Sequence, residues 1–203
     1  MKTPVRLPFL ILNFSFLISL TSCHDDNDDS PFPNLMTEMV DCPTDAKGTM
    51  TTIVLDDDTR LTVTNPQVDL KPSVVYRCLA DYVIEDDGKA TLYGLRSCPI
   101  LRDSTDLAKT DPLGVVSLWR TRRYINLHLM PKTQDKGTHG WGFITDSIRE
   151  GHAYLRLHHR QGDDPMAYSD DVYASLPLDL VEADTITLRI QTFAGTTERT
   201  FAP

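Results

Sequence analysis

The side chains best suited to chemistry lie late in the chain, where His158, His159, Asp163 and Asp164 fall within one short stretch. Two imidazoles and two carboxylates can ligate a transition metal or relay a proton. The histidines, however, end a run (Ala153 to His159, AYLRLHH) that alternates as a strand does. Adjacent strand residues point to opposite faces, so His158 and His159 do not easily share one ion. Asp163-Asp164-Pro165 reads as a turn. The same choice arises at Asp56-Asp57-Asp58, which is either a weak hard-cation site or a tight hairpin turn, and the turn fits better because the spaced ligands of a calcium loop are missing. Arg120, Arg122 and Arg123 can grip a carboxylate or phosphate, or simply solvate a turn. No nucleophile elbow, metalloprotease helix, phosphate loop or dinucleotide fingerprint occurs in the sequence. The expectation is a protein that is not an enzyme, with no catalytic residues, no cofactor and no metal.

Cysteine chemistry is more informative. Lys2 and Arg6 precede a mostly apolar run, Phe9 to Leu20 (FLILNFSFLISL), which is too short for the roughly 20 residues needed to span a bilayer. Leu20-Thr21-Ser22-Cys23 follows and resembles the bacterial lipobox. Cleavage before Cys23 would free an amino group and a thiol for acylation, giving a lipid-anchored protein rather than a spanning one. Residues 1–22 are then a lipoprotein signal peptide. The next stretch, 23–34, is an Asp-rich tether that cannot bury apolar surface (His24-Asp25-Asp26-Asn27-Asp28-Asp29-Ser30). It resembles the acidic signal that sends lipoproteins to the outer surface of Bacteroidota. The expected location is therefore the outer membrane, on the cell surface rather than the periplasmic face.

The remaining cysteines are Cys42, Cys78 and Cys98. An odd number allows one internal bridge at most. Cys78 and Cys98 lie on the two arms of one expected hairpin, whose register allows but does not force a disulfide between them, and buried thiols are the favoured reading.

The elements that must position these groups read as β throughout. Leu35 to Pro43 is a first strand, and Thr49 to Leu55 and Arg60 to Thr64 form a hairpin around the aspartates. From Val74, residues Tyr76, Cys78, Ala80, Tyr82 and Ile84 share one face, with Arg77, Asp81 and Glu85 on the other, the period of a half-buried strand. Asp86-Asp87-Gly88 then turns the chain into Lys89 to Leu101. Five such strands over 35–101 suit a small OB-type barrel. The polar stretch 102–111 reads as a linker. Beyond it, Val115 to Trp119, Tyr124 to Met130, Thr138 to Thr145, Ala153 to His159, Thr185 to Thr192 and Glu198 to Phe201 are short strands, suiting an immunoglobulin-like β-sandwich over 112–203. The fold class is all-β.

Charge narrows the partners. The 203-residue chain carries −9, and without Lys2 and Arg6 the part from Cys23 carries −11. That excludes nucleic acid as an expected partner, since phosphate binding runs on Lys and Arg. What remains is the lipid bilayer, through acylated Cys23, and an envelope or extracellular protein or glycan. Of the aromatic residues, Tyr76 and Tyr82 read as core, whereas Tyr93, Trp119, Trp141 and Tyr168 are free to form a sugar platform.

From Cys23 and its Asp-rich tail, the segments VLDDDTRLTV, DLKPSVVYRCLADYVI, DPLGVVSLW, INLHL, YLRLHHRQGDD and TITLRIQTF together resemble the NigD-like lipoproteins of Bacteroidota. The resemblance implies an N-terminal OB-type domain and a C-terminal β-sandwich. It also implies a non-catalytic role, with the family's association with a bacteriocin operon suggesting immunity, and it brings no catalytic residues. Two departures stand out: a start thin in Lys and Arg, and His158-His159-Arg160 where the family's turn is less basic. The reading is a binding or interaction module, with a carbohydrate-binding surface lipoprotein as the alternative.

Overall fold

The computed structural model describes residues 34–105 and 109–203. The signal peptide, Cys23 and nearly all of the tether lie outside the described residues.

Five strands close a barrel: β1 (Met36–Pro43), β2 (Met50–Val54), β3 (Arg60–Gln67), β4 (Val75–Ile84) and β5 (Ala90–Ser97). Their order is β1-β2-β3-β5-β4, with β4 returning to β1. Neighbours are antiparallel except β3 and β5, which meet in parallel at Val63 and Ala90. This is the OB-type barrel. The alternation expected of β4 holds on its inner face, where Cys78, Ala80 and Tyr82 are buried with Val40, Ile53 and Leu92. Both hairpin turns form as their residues require. Asp57 accepts the Thr59 amide, and Gly88, at φ 77°, closes the β4–β5 turn by donating to the Glu85 carbonyl. β3 runs further than its sequence suggests, to Gln67. It passes through Pro66, and the side chain of Asn65 makes the cross-strand bonds to both backbone groups of Leu92.

The second part is a β-sandwich. One sheet has the order β12-β7-β6 and the other β14-β13-β10-β9, with a short β11–β8 pair beside them. The strands are β6 (Gly114–Arg120), β7 (Tyr124–Met130), β8 (Lys132–Thr133), β9 (Gly140–Arg149), β10 (His152–Arg160), β11 (Tyr168–Ser169), β12 (Val172–Pro177), β13 (Thr185–Thr192) and β14 (Gly195–Phe201). Ile125, Leu127 and Leu129 of β7 face Phe143, Leu155, Leu157 and Leu188 across the core. One pairing, β10 with β13, is parallel, because the chain leaves that sheet through β11 and β12 before returning. β12 was not marked by its composition. VYASLP is short, mixed and ends in proline, yet Ala174, Ser175 and Leu176 are buried.

The join differs from a free linker. Ser175 donates to the Pro99 carbonyl (3.0 Å) and Leu101 to the Ser175 carbonyl (2.8 Å), while Phe143 and Ser104 exchange bonds with Arg102 and Phe143 in turn. Leu101 is wholly buried in the sandwich core. Farther along, Asp111 donates to the His159 carbonyl (2.9 Å). A stretch whose polar side chains suggest solvent is thus held to the sandwich at both ends by its backbone, which composition does not reveal.

Candidate functional site

The outer face of β4 explains why barrel and sandwich form one body. The sequence marks Arg77 as a solvent-side residue, but it is 1% exposed. The sandwich covers that face. Arg77 Nε donates to Ser175 Oγ (3.0 Å), Nη1 to Asp41 (3.1 Å), and Nη2 to Asp56 (2.9 Å) and Asn126 Oδ1 (3.1 Å). The guanidinium also stacks 4.1 Å from the Tyr124 ring centre. Asp41 is itself shared: Arg123 reaches it at 2.5 Å and the Tyr124 hydroxyl at 3.0 Å. Burial, then the Asp41 charge, pushes the Tyr124 hydroxyl up to about 12. Asn126 donates to Asp56 (2.8 Å) and accepts from Ser175 (2.6 Å). Arg122 and Arg123 pair with Asp58 at 2.9 and 3.2 Å. The arginine turn therefore grips carboxylates, and they belong to the barrel of the same chain. The aspartate turn meets arginines where a cation was the alternative.

Beside this polar centre lies an apolar cluster of Met39, Leu79 and Cys98, with Trp119 and Tyr173 packed against it from the sandwich. A groove of about 450 Å³ opens over it, lined by Met39, Leu79, Trp119 and Tyr173, with Thr37, Glu38, Asp56, Asp57 and Thr121 around the mouth. Apolar walls with a few placed polar groups are the usual make-up of a recognition cleft. A second depression, of about 650 Å³, lies on another side of the join near Val75, Arg102, Arg122, Tyr124 and Leu180.

The histidine stretch forms a separate network. His159 is fully buried, and His158 nearly so. As expected of strand neighbours, the two do not converge. Instead His159 Nδ1 donates to the Asp111 carbonyl (3.1 Å), and its Nε2 accepts from Nδ1 of His139 (3.0 Å). Nε2 of His139 lies 3.2 Å from the Asp164 carboxyl. The Thr133 hydroxyl and the amides of Gln134 and Lys136 donate to Asp164 and hold its carboxyl well below the usual range, the hydroxyl most strongly. Burial pushes His159 down to about 4. Trp141 stacks on His159 with ring centres 4.6 Å apart. Sequence reasoning picked His159 and Asp164 but missed His139, which joins them. The alternation His139, Trp141, Phe143 was its only signal. Among the described residues no group of three or more His, Cys, Asp or Glu is placed to hold a metal ion.

Cys42, Cys78 and Cys98 are free thiols. Cys78 pairs across the hairpin with Ser97, one residue short of Cys98. Side chains alternate, so Cys78 enters the barrel interior while Cys98 faces the join, its sulfur 3.8 Å from that of Met39. The register thus separates Cys78 from Cys98. Inside the barrel Cys42 and Cys78 act on each other, and the neighbouring thiol raises Cys42 and lowers Cys78. Burial pushes Cys98 up to about 11. Because all three are buried, each is expected to react with an aromatic disulfide reagent more than about a hundredfold more slowly in the native chain than in denaturant. A native burst of labelling at any one of them would contradict that packing.

Of the aromatics, Tyr82 is core and Tyr76 packs against it. Tyr93 and Tyr168 are exposed, Tyr168 donating to Asp135 (2.8 Å).

The sandwich, together with the docked segment that enters it, coincides with a known domain: residues 97–202 match the NigD-like C-terminal beta sandwich domain. The chain belongs to the NigD-like family. Solved structures similar to this NigD-like chain include a NigD-like immunity protein from Bacteroides caccae (24% identity, 84% of this chain and 98% of the other, TM-score 0.66). Another, from Parabacteroides distasonis, is named as toxin related (16% identity, 82% and 92%, TM-score 0.68). A third, from Bacteroides fragilis, is named as a lipoprotein (15% identity, 82% and 96%, TM-score 0.57). Identities this low speak for the shared fold alone. No curated protein matches the chain. Among the described residues no helix is long and apolar enough to cross a membrane.

Proposed function

We propose that this NigD-like chain is a lipoprotein of the bacterial envelope, acylated at Cys23, that binds a protein partner and carries out no reaction of its own. The narrower role is immunity, the partner being a toxin that reaches the envelope. The observation that carries the binding reading is the groove. It is concave and lined by Trp119 and Tyr173, and it sits where two bodies are locked together by the Arg77 centre, so it comes preformed. The names of the Bacteroides caccae, Parabacteroides distasonis and Bacteroides fragilis relatives agree with this direction. The Asp-rich stretch after Cys23 favours the outer face of the outer membrane.

The test follows the chain in its own cells. Wild type should incorporate a fatty-acid label and be shaved from intact cells by protease, and Cys23→Ser should lose the label and leave the membrane fraction. A strain lacking the chain should be killed by competitors' secreted toxins at doses about tenfold lower, and Trp119→Ala should restore protection less well than wild type. An unlabelled wild type would end the anchoring claim, and unchanged toxin sensitivity would end the immunity claim.

A further inference from the structure

β1 has a free edge beside the groove. It pairs with β4 along its whole length, from Met36 opposite Tyr82 to Pro43 opposite Val75. Its other side meets β2 only where Asp41 faces Val54. Past that point β2 turns away. Leu55 bonds to Thr59 and Asp58 back to Leu55, with Asp58 at φ 74°. Between Met36 and Glu38, before Met39 and Val40 become buried, β1 therefore keeps main-chain groups that are unpaired by any described strand and reach solvent. Such an edge is a template for an added strand.

The side chains around the edge define what can be added. The floor is Met39, Leu79, Trp119 and Tyr173. At the mouth, Glu38 holds the Tyr82 hydroxyl (2.9 Å) and Asp57 caps the Thr59 amide (2.8 Å). Neither meets a cation among the described residues. The arginines close by are already committed, Arg77 to Asp41 and Asp56, and Arg123 to Asp41 and Asp58. The rim is thus left negative over an apolar floor.

We propose that the groove takes an extended peptide segment of a basic partner, paired to the β1 edge, with an apolar side chain against Trp119 and Tyr173 and lysines or arginines toward Glu38 and Asp57. The period of two in a strand supplies that alternation. This rests on the binding reading above and names its partner chemistry. Two other occupants are disfavoured by charge. The chain's own Asp25-to-Asp29 stretch has the wrong sign, and a second copy, at −9, would set its acidic rim against an identical one.

The test uses the full chain in detergent and a heptapeptide alternating lysine and leucine, with titration calorimetry at low salt. Binding should weaken at least about tenfold when the lysines become glutamates and again when alternate peptide nitrogens are methylated. It should weaken by a similar factor in the chain carrying Glu38→Gln and Asp57→Asn, whose circular dichroism should be unchanged, since asparagine still caps the turn. Equal binding of both peptides, indifference to methylation, or full binding by the double variant overturns the proposal, as does no binding at all. A photoreactive residue in place of exposed Thr37, tested in cells, separates the two levels. A crosslinked partner without peptide binding sinks the basic-strand claim and leaves the groove as a binding site. Silence in both sinks the groove reading as well.

Discussion

Replacing Arg77 with alanine should destabilise the folded chain by about 3–5 kcal/mol, the range seen when one partner of a buried ion pair is removed. The reason is what remains. Asp41 would keep Arg123 and Tyr124, but Asp56 would lose its guanidinium. Asn126 and Ser175, both on the sandwich side of the join, would each lose a donor. Lysine restores the charge but offers one ammonium where Arg77 uses three nitrogens in a planar fork, so Arg77→Lys should recover only part of the loss. Urea unfolding of the three forms measures this. The shape of the curve matters too: wild type should unfold in a single transition, whereas the alanine form should separate barrel from sandwich. If Arg77→Ala unfolds within about 1 kcal/mol of wild type, the polar centre does not hold the two parts together.

Acid should act through the second network. His159 falls from 6.5 to about 4 on folding, mainly because it is buried. A histidine with a depressed value binds its proton in the unfolded chain first, so protons favour unfolding as pH drops below 6.5. The loss is complete once pH passes 4 and amounts to roughly 3 kcal/mol. Asp164 works in the same direction at lower pH. Its folded value lies below 3.8, so the stability it contributes is present above that and lost beneath it. Stability should therefore be level near neutrality and fall steeply between pH 6.5 and 4. His159→Gln, which keeps a polar side chain but cannot charge, should flatten that fall whatever it costs at pH 7. An unchanged slope in the variant would assign the acid sensitivity to other groups.

Much of the fold was legible because its signals are local. Tyr76, Cys78, Ala80 and Tyr82 alternate into the barrel, and Asp86-Asp87-Gly88 turns where it should. What composition hid was the second burial of β4. A strand with Arg77 and Asp81 on one face reads as half-solvated, and only Leu79 between them hinted that another surface covers it. The candidate site lies there, between residues contributed by β1, β4, β6 and β12, and no periodicity within one strand reports such a meeting. The same holds for His139, which is tied to His159 and Asp164 by side chains separated by a loop. The turn residues alone left Cys78 opposite any of residues 96 to 98, and the choice of Ser97 sends Cys98 to the opposite face.

The Arg77 centre also dictates an order of events during synthesis. Arg77 finds Asp41 and Asp56 among residues already made, but Asn126 arrives 49 residues later and Ser175 98 residues later. A barrel emerging first thus waits with its charged face wet and with Met39 and Leu79 uncovered until almost the whole chain has appeared. Contacts this distant along the chain slow the final docking, and the waiting surface is the one most open to proteases and to unwanted association.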